Sequence, residues 1–425
     1  MLRTRIKDAR VGMKLALPVL HPTAPGRVLL RAGYALESRS LSRLRDLGVR
    51  AVWVAYPPLS FLLRYTSPEI VRQQARLVGQ VGRLFDAARR EVQAEIEYDR
   101  YAQAVGALAE ALTMTPSAAV FLDRLAEAPD TELEHASNVS YLCTLMGLKL
   151  ATYLEQQRSR LTPSRARDVI PLGVAGMLHD IGMTRLTAEQ LEAVRRAPNP
   201  ADAVFRSHVE LGYDLVKGRV PATVASAVLS HHERYDGSGF PGRVFADGRT
   251  ERVEGQSIHV YARIVAVADE FDRRLQTPDG EGVPRVRVLA SMIHEPDAAG
   301  FDPMAVKALL AVCPPYPPGT MVTLSNGVRG VVIGWAMADP CRPRVQPFDP
   351  AEPEPDTPPA VIDLSQTSGV CVAEAEGVDV GRDNFYPDTP AMLCLDSANR
   401  RLHNAAEVLR RQAAAQGDAP WSEAG

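Results

Sequence analysis

The sequence lacks the features that mark secreted and membrane-spanning proteins. Its five cysteines, at positions 143, 313, 341, 371 and 394, are scattered, and no two of them form a CxxC pair. This argues against a disulfide framework and against a cysteine-based zinc site. No apolar run is long enough to cross a membrane, and the basic N-terminus is not followed by the apolar segment that a signal peptide requires. We therefore expect a cytoplasmic protein without a membrane span.

Net charge is also small. The formal charge of the 425 residues is −3, so bulk electrostatics give no reason to expect nucleic acid or an anionic membrane as a partner. Hydrophobic residues make up 46% of the chain, which is ordinary for a globular protein. A chain of this length usually divides its core among two or three domains.

One stretch, residues 230–242, is rich in groups that carry chemistry. It contains His231, His232 and Glu233, followed by a glycine-rich turn that ends at Pro241 and Gly242. Side chains of neighbouring helical residues point about 100° apart. The two imidazoles therefore suit two ions, or one ion and a substrate phosphate, better than one shared ion. Taken alone, a solvated polar helix end explains the stretch equally well.

The wider pattern favours a metal site. Successive predicted helices carry His135, then His179 beside Asp180, then His208, then His231 and His232, and a fifth carries Asp269. Imidazoles and carboxylates that converge from separate helices build two-metal sites in helical bundles. Such nitrogen and oxygen ligands suit iron, manganese or zinc. Asp180 could bridge two ions about 3.5–4 Å apart, with a hydroxide between them.

The motifs resemble those of the HD-GYP family, the HD-superfamily phosphodiesterases that hydrolyse the bacterial second messenger cyclic di-GMP. The resemblance rests on four segments in the family's order, 178–182, 208–213, 231–241 and 263–272. With the patterns along the chain, it predicts a mainly α fold built on an HD-type helical bundle at 117–313. We expect a small α+β domain at 1–60, a helical linker at 66–116, and a small β-rich region with a proline-rich loop at 314–400. A helix or disordered tail would follow at 401–425.

The resemblance implies a set of metal ligands by position, with His179 and Asp180 as the catalytic pair and Asp180 as the bridge. The set is His135, His179, Asp180, His208, His231, His232 and Asp269. It would hold two divalent ions, iron or manganese first and zinc as the alternative. Some family members bind a third ion through a glutamate four residues before the first histidine. Thr131 stands there in this sequence, so a third ion stays open.

The substrate side departs from the family pattern. Met183 replaces the usual phosphate-contacting lysine, Gly239-Phe240-Pro241 replaces GYP, and residues 278–281 lack the usual basic segment. Charge-assisted hydrogen bonds of the kind that these cations make are worth roughly 1.5–3 kcal/mol each. Arg185, Arg273 and Arg274 are candidates to compensate. Phe240 either stacks on guanine or anchors its loop.

Two functions of different classes follow. The first is hydrolysis of cyclic di-GMP to linear pGpG and on to GMP; the second is a metal-containing cyclic di-GMP sensor or protein-interaction module with little turnover. The complete ligand set favours the enzyme, whereas Met183 and the missing basic segment favour the sensor. Hydrolysis of another nucleotide is a third option. GGDEF-type signalling proteins are expected partners, and a homodimer is left open.

Overall fold

The computed structural model describes residues 1–21, 24–90, 96–118, 131–196, 199–245, 247–275, 282–294, 297–349 and 359–389, with Leu393 and Leu395. Of residues 24–26 and 131 it describes the backbone alone. The described chain is mainly helical with a small β-rich C-terminal part, and the predicted fold class is confirmed. The predicted tail at 401–425, segment 278–281 and most of the proline-rich loop lie outside the described residues.

The N-terminal part is a small α+β unit. Its elements are Leu2–Arg5 (β1), Val19–His21 (β2), Ala24–Leu30 (β3), Ser38–Asp46 (α1) and Ala51–Val54 (β4). Strand β1 pairs antiparallel with β4, and β2 with β3. Leu41 and Leu44 bury one face of α1, as their helical spacing predicts. Just before Pro18, Lys14 and Leu15 form isolated bridges and not a strand.

The region predicted as a helical linker, 66–116, does not form one continuous helix. The chain forms two helices, Pro68–Arg90 (α2) and Tyr98–Met114 (α3), which pack against each other. Short 3-10 helices, Pro57–Tyr65 and Pro116–Ala118, lie on either side. The seven-residue spacing of Val71, Val78 and Phe85 does correspond to a buried stripe of α2. Such spacing fits one long helix or two packed ones equally well, since it reports only which face is apolar.

The central part is a helical bundle. Its helices are Thr131–Lys149 (α4), Ala151–Gln157 (α5), Pro163–Ala166 (α6), Ile170–Leu178 (α7), Ala188–Arg196 (α8), Ala203–Val216 (α9), Ala222–Ser230 (α10), Val260–Arg274 (α11), Arg285–Ile293 (α12) and Pro303–Val312 (α13). The stretch from Pro163 to Met177 forms two helices, α6 and α7, and not one. Pro171 lies in the first turn of α7, where proline is favoured, and it disfavours helical continuation from the residues before it.

Smaller elements complete the bundle and attach the C-terminal part. Ile181–Arg185, Gly255–Ser257 and Asp297–Gly300 are 3-10 helices, and Arg243–Val244 (β5) pairs with Thr250–Glu251 (β6). Helix α4 packs on both α7 and α11, so the most buried helices are neighbours. His179 and His231 lie at the C-terminal ends of α7 and α10, whereas His208 and Asp269 lie within α9 and α11.

The C-terminal part is one antiparallel sheet. It contains Met321–Leu324 (β7), Arg329–Ala336 (β8), Asp339–Pro347 (β9), Ile362–Asp363 (β10), Val372–Ala375 (β11) and Val378–Asp379 (β12), in the order β10-β9-β8-β7-β11-β12. Asn326 and Gly327 turn the chain between β7 and β8, and Gly327 has a φ of 83°. Within the described ranges, no helix combines the length and the hydropathy that a membrane crossing needs.

Candidate metal centre

Five helices of the bundle bring imidazoles and carboxylates to one place. His135 lies in the first turns of α4, His179 caps α7 with Asp180 next to it, and His208 lies in α9. His231 caps α10 and is followed by His232, while Asp269 lies in α11. Three overlapping groups have ligand atoms close enough to share an ion: Asp180 with His208, His231 and His232; His135 with His179 and Asp180; and His179 with His231 and Asp269.

Asp180 stands between two of these groups. Its Oδ1 lies 3.4 Å from His208 Nε2 and 3.6 Å from His231 Nε2. Its Oδ2 lies 3.5 Å from His179 Nε2 and 3.9 Å from His135 Nε2. Each carboxylate oxygen therefore faces a different set of imidazoles, which is the arrangement that a bridging ligand needs.

Three of the imidazoles are oriented by the backbone of their own helices. The Nδ1 atoms of His179 and His231 lie 2.8 Å from the carbonyl oxygens of Gly176 and Val228, and His208 Nδ1 bonds the carbonyl of Phe205 in the same way. Each partner lies three residues earlier in the chain. A carbonyl oxygen can only accept, so Nδ1 carries the proton and Nε2 presents its lone pair to the cluster.

His135 is oriented by a carboxylate instead. Its Nδ1 lies 2.7 Å from Asp272 Oδ2, and Asn138 Nδ2 donates to Asp272 Oδ1 at 3.0 Å. Its Nε2 lies 2.9 Å from Asp269 Oδ1. Sequence reasoning gave Asp272 no role, although it lies three residues after Asp269 and hence on the same helix face.

The residues present fit divalent cations. Asp180 Oδ1 and His232 Nε2 are buried, and neither has a hydrogen-bond partner among the described residues. Buried polar atoms normally find a partner, so two such atoms in one cluster indicate a missing ligand. Nitrogen and oxygen donors without sulfur suit iron, manganese or zinc.

The electrostatics of the cluster follow from burial and close charges. Burial lowers the pKa of His208 to about 4 and holds that of His232 well below its usual value. Both imidazoles are therefore neutral near pH 7 and able to bind a metal. Burial opposes ionisation of Asp180 and Asp269, but the Arg273 guanidinium and the neighbouring imidazoles together outweigh it and hold both pKa values well below the usual range.

His135 is the exception among the imidazoles. Burial and Arg273 act to lower its pKa, but the hydrogen bonds to Asp269 and Asp272 outweigh them and raise it to about 9. A proton on His135 must therefore leave before its Nε2 can bind a cation.

Comparison with known proteins agrees with this geometry. Residues 133–274 match the family model of the HD domain, which includes all seven candidate ligands. The cyclic di-GMP phosphodiesterase PA4108 of Pseudomonas aeruginosa is 27% identical over 79% of this chain and 82% of its own length. These matches assign residues 133–274 to the HD domain family and support the resemblance to HD-GYP proteins.

Other relatives match a shorter part of the chain. The cyclic di-GMP phosphodiesterase response regulator RpfG of Xanthomonas campestris is 34% identical over 32% of this chain. The 3′3′-cGAMP-specific phosphodiesterase 2 of Vibrio cholerae is 31% identical over 23% of it. The chain spans 35% and 18% of the lengths of these two relatives.

The substrate side of the candidate site contains an apolar cluster. Met183 is only 5% exposed and packs with Phe205, Val209 and Phe240. Phe240 stacks on the His232 ring, with centroids 4.8 Å apart, and the Arg206 guanidinium lies 4.8 Å from the centroid of Phe240. In this arrangement Phe240 contacts a candidate ligand and supports its own loop.

Backbone packing explains the rest of the glycine-rich turn. A Cβ on Gly239 would lie 2.2 Å from the Arg234 amide nitrogen, so the turn requires glycine at this position. The Phe240 amide donates to the His232 carbonyl at 3.1 Å, and the Gly242 amide donates to Glu233 Oε1 at 2.6 Å. Gly239 and Pro241, which the sequence placed at the substrate, thus lie in a turn that is tied to the end of α10.

The two arginines predicted to contact substrate point to different surroundings. Arg273 Nε donates to Asp269 Oδ1 at 2.6 Å, and its Nη2 donates to Asp180 Oδ2 at 2.5 Å. Arg274 donates instead to Glu270, at 2.8 Å, and to Asp297, at 2.7 Å. The structure therefore brings Arg273, and not Arg274, to the carboxylates of the cluster.

Proposed function

We propose that this chain is a metal-dependent phosphodiesterase that hydrolyses cyclic di-GMP to linear pGpG and, in a second step, to GMP. The observation that carries the proposal is the position of Asp180, whose two oxygens face separate imidazole groups. The name of the relative PA4108, which aligns with most of the chain, supports the substrate. Bond cleavage at a phosphodiester is the chemistry that paired cations serve in proteins.

The ligands divide into two sets that share Asp180. One would comprise His135, His179 and Asp269, and the other His208, His231 and His232. Iron or manganese is our first choice, with zinc as the alternative. When bound, the ions supply Lewis acidity at the phosphoryl oxygens and a hydroxide near neutral pH.

We do not extend the proposal to a third ion. The glutamate that such an ion would need is replaced by Thr131. Glu132, the next acidic residue, forms ion pairs with Arg89 at 2.7 Å and with Arg195 at 2.8 Å. Glu134 is buried, and its Oε2 lies 4.0 Å from Arg50 Nη2.

Arg273 would supply the phosphate contact that Met183 cannot make. Its guanidinium bonds the same carboxylates that the cations would bind, so the cations and Arg273 compete for Asp180 and Asp269. An arginine displaced from these oxygens stays next to the centre and can form a bidentate contact with a phosphate. Arg274, bonded to Glu270 and Asp297, is left out of the proposed substrate site.

A turnover assay tests the proposal. The full-length protein, loaded with Fe(II) or Mn(II), is incubated with cyclic di-GMP or 3′3′-cGAMP, and linear products are quantified by chromatography. We expect pGpG from the wild type, no product above background from Asp180→Ala, and wild-type turnover from Asp214→Ala. Asp214 is a suitable control because it is exposed on α9 and pairs only with Lys217 among the described ion pairs.

A second function is favoured by the packing of Met183. The side chain is buried among apolar neighbours, so the position holds no cation for a substrate phosphate. A sensor would bind cyclic di-GMP tightly but release no pGpG with either metal, and this result would overturn the enzyme proposal. The predicted GGDEF-type partners, the homodimer and the cytoplasmic location stay predictions.

A further inference from the structure

A cavity of about 530 Å³ lies where three parts of the fold meet. Residues of β1 and β4, the α4 and α12 helices, and the sheet that includes β11 and β12 form its walls. None of the seven candidate metal ligands lines it. Its volume falls within the range of about 300–1,000 Å³ that is usual for small-molecule sites.

The walls of the cavity are basic. The lining contains two carboxylates, Glu134 and Glu376. It also contains five cationic side chains, namely Arg3, Arg5, Lys7, Arg50 and Arg285. Arg5 also bonds Asp8 at 2.7 Å, and Arg50 lies 4.0 Å from Glu134. The whole chain carries a net charge of −3, so this excess of positive charge is local. A concave basic surface concentrates anions.

The local sequence explains why the cations gather there. Side chains alternate along a strand, so Arg3 and Arg5 project from the same face of β1. Arg3 pairs in register with Trp53 of β4, which places an indole beside the two arginines. Another part of the wall contains Pro284, Arg285 and Val286, at the start of the nine-residue helix α12. The positive end of that helix dipole adds to the charge of the side chains.

We propose that this cavity binds a nucleoside polyphosphate, with the phosphates between Arg3 and Arg285 and the base against Trp53. Arginine forks match phosphate oxygens in pairs, and an indole offers a surface on which a base stacks. The site is separate from the metal centre, and its occupation does not depend on the proposed hydrolase activity.

The position of the cavity also gives it a route to the metal centre. Glu134 of its wall directly precedes His135, and Leu275 directly follows Arg273 and Arg274. A ligand held there would contact the N-terminal end of α4 and the C-terminal end of α11, which both carry candidate metal ligands.

Titration calorimetry on the full-length protein tests the proposal. GTP, ATP and inorganic pyrophosphate are titrated in the presence of EDTA, so that metal-dependent binding at the other site is suppressed. We expect saturable binding of at least one triphosphate, at least about tenfold tighter than pyrophosphate. Arg3→Gln and Arg285→Gln should each weaken it about tenfold or more, because each removes charge-assisted hydrogen bonds. Asp180→Ala should leave it unchanged.

Arg31→Gln is the matched control, because Arg31 is exposed in the same N-terminal part and does not line the cavity. The two test variants come from different elements, β1 and α12, and thermal melting identifies either one that fails to fold. The proposal is overturned if neither triphosphate binds, if both folded test variants bind as the wild type does, or if pyrophosphate binds as tightly as the nucleotides.

Discussion

The ligand half and the substrate half of the candidate site are built differently. In the ligand half, backbone carbonyls three residues back orient His179, His208 and His231, so each helix fixes its own ligand. In the substrate half, Met183 and Phe240 pack into an apolar cluster, and the guanidinium that bonds Asp180, which follows α7, comes from Arg273 on α11. The comparison teaches that metal binding depends on local helix geometry, whereas phosphate contacts depend on which side chains neighbouring helices bring in.

The largest effect on metal affinity is expected at Asp272, because His135 is oriented by this side chain and not by a backbone carbonyl. Asp272→Asn would place an amide N–H against His135 Nδ1 if its carbonyl oxygen keeps the bond from Asn138. The proton of His135 would then sit on Nε2 and block its lone pair. Replacing such supporting groups typically costs about 10–100-fold in metal affinity.

We expect a loss of this size in competition with a chelator, and no loss for the exposed control Asp214→Asn. Wild-type metal affinity in Asp272→Asn would mean that Asp272 does not orient His135, and the contrast between the two halves would lose its clearest case.

Arg273→Ala tests whether one arginine both bonds the ligand carboxylates and contacts the substrate phosphate. The loss of a charge-assisted contact worth roughly 1.5–3 kcal/mol should lower kcat/KM for cyclic di-GMP by about one to two powers of ten. Metal affinity should be kept or increased, because Asp180 and Asp269 no longer bond a guanidinium. Arg274→Ala, which removes a neighbouring arginine bonded to Glu270, serves as the control. A rise in kcat/KM would instead identify Arg273 as an inhibitor of metal binding.

Met183→Lys asks whether the lysine of the family pattern can be restored. Because Met183 packs among Phe205, Val209 and Phe240, a charged group there must be desolvated or must force the cluster apart. We expect the free energy of unfolding in urea to fall by about 1–3 kcal/mol, with no gain in turnover. Met183→Leu should cost less than about 1.5 kcal/mol. A stable, faster Met183→Lys enzyme would show that the substrate half is open at this position.

The smallest effect is expected for Phe240→Leu. The stacked contact with His232 is worth about 0.5–1.5 kcal/mol, so its loss should weaken metal binding about two- to tenfold. KM for cyclic di-GMP should stay unchanged if Phe240 positions His232. A raised KM with normal metal affinity would return Phe240 to the guanine-stacking role.

The sequence predicted the ligand half better than the substrate half, for a physical reason. The HD and adjacent-histidine motifs lie at helix ends, so their spacing along the chain already limits where Asp180, His231 and His232 can point. The resemblance to the HD-GYP family and the mainly α fold are confirmed. The roles of Asp272 and Arg273 also had a signal in the sequence. These residues follow Asp269 by three and four positions and therefore share its helix face.

Other features could not be read from the sequence. The burial of Met183 depends on Phe205 and Phe240, which are distant in the chain, and a methionine alone does not reveal its neighbours. The division of 67–113 into α2 and α3 has the same origin, because an apolar stripe does not tell whether its partner is the same helix or another. The start of α7, in contrast, did have a signal in the sequence, because Pro171 lies in its first turn, where proline is favoured.

A crystal structure of the manganese-loaded protein, with anomalous data at the metal edge, tests the central claim most directly. We predict two anomalous peaks, with Asp180 bound to both, His135, His179 and Asp269 on one side, and His208, His231 and His232 on the other. Two ions located away from this cluster, or ions at the cluster that Asp180 does not contact, would contradict the account.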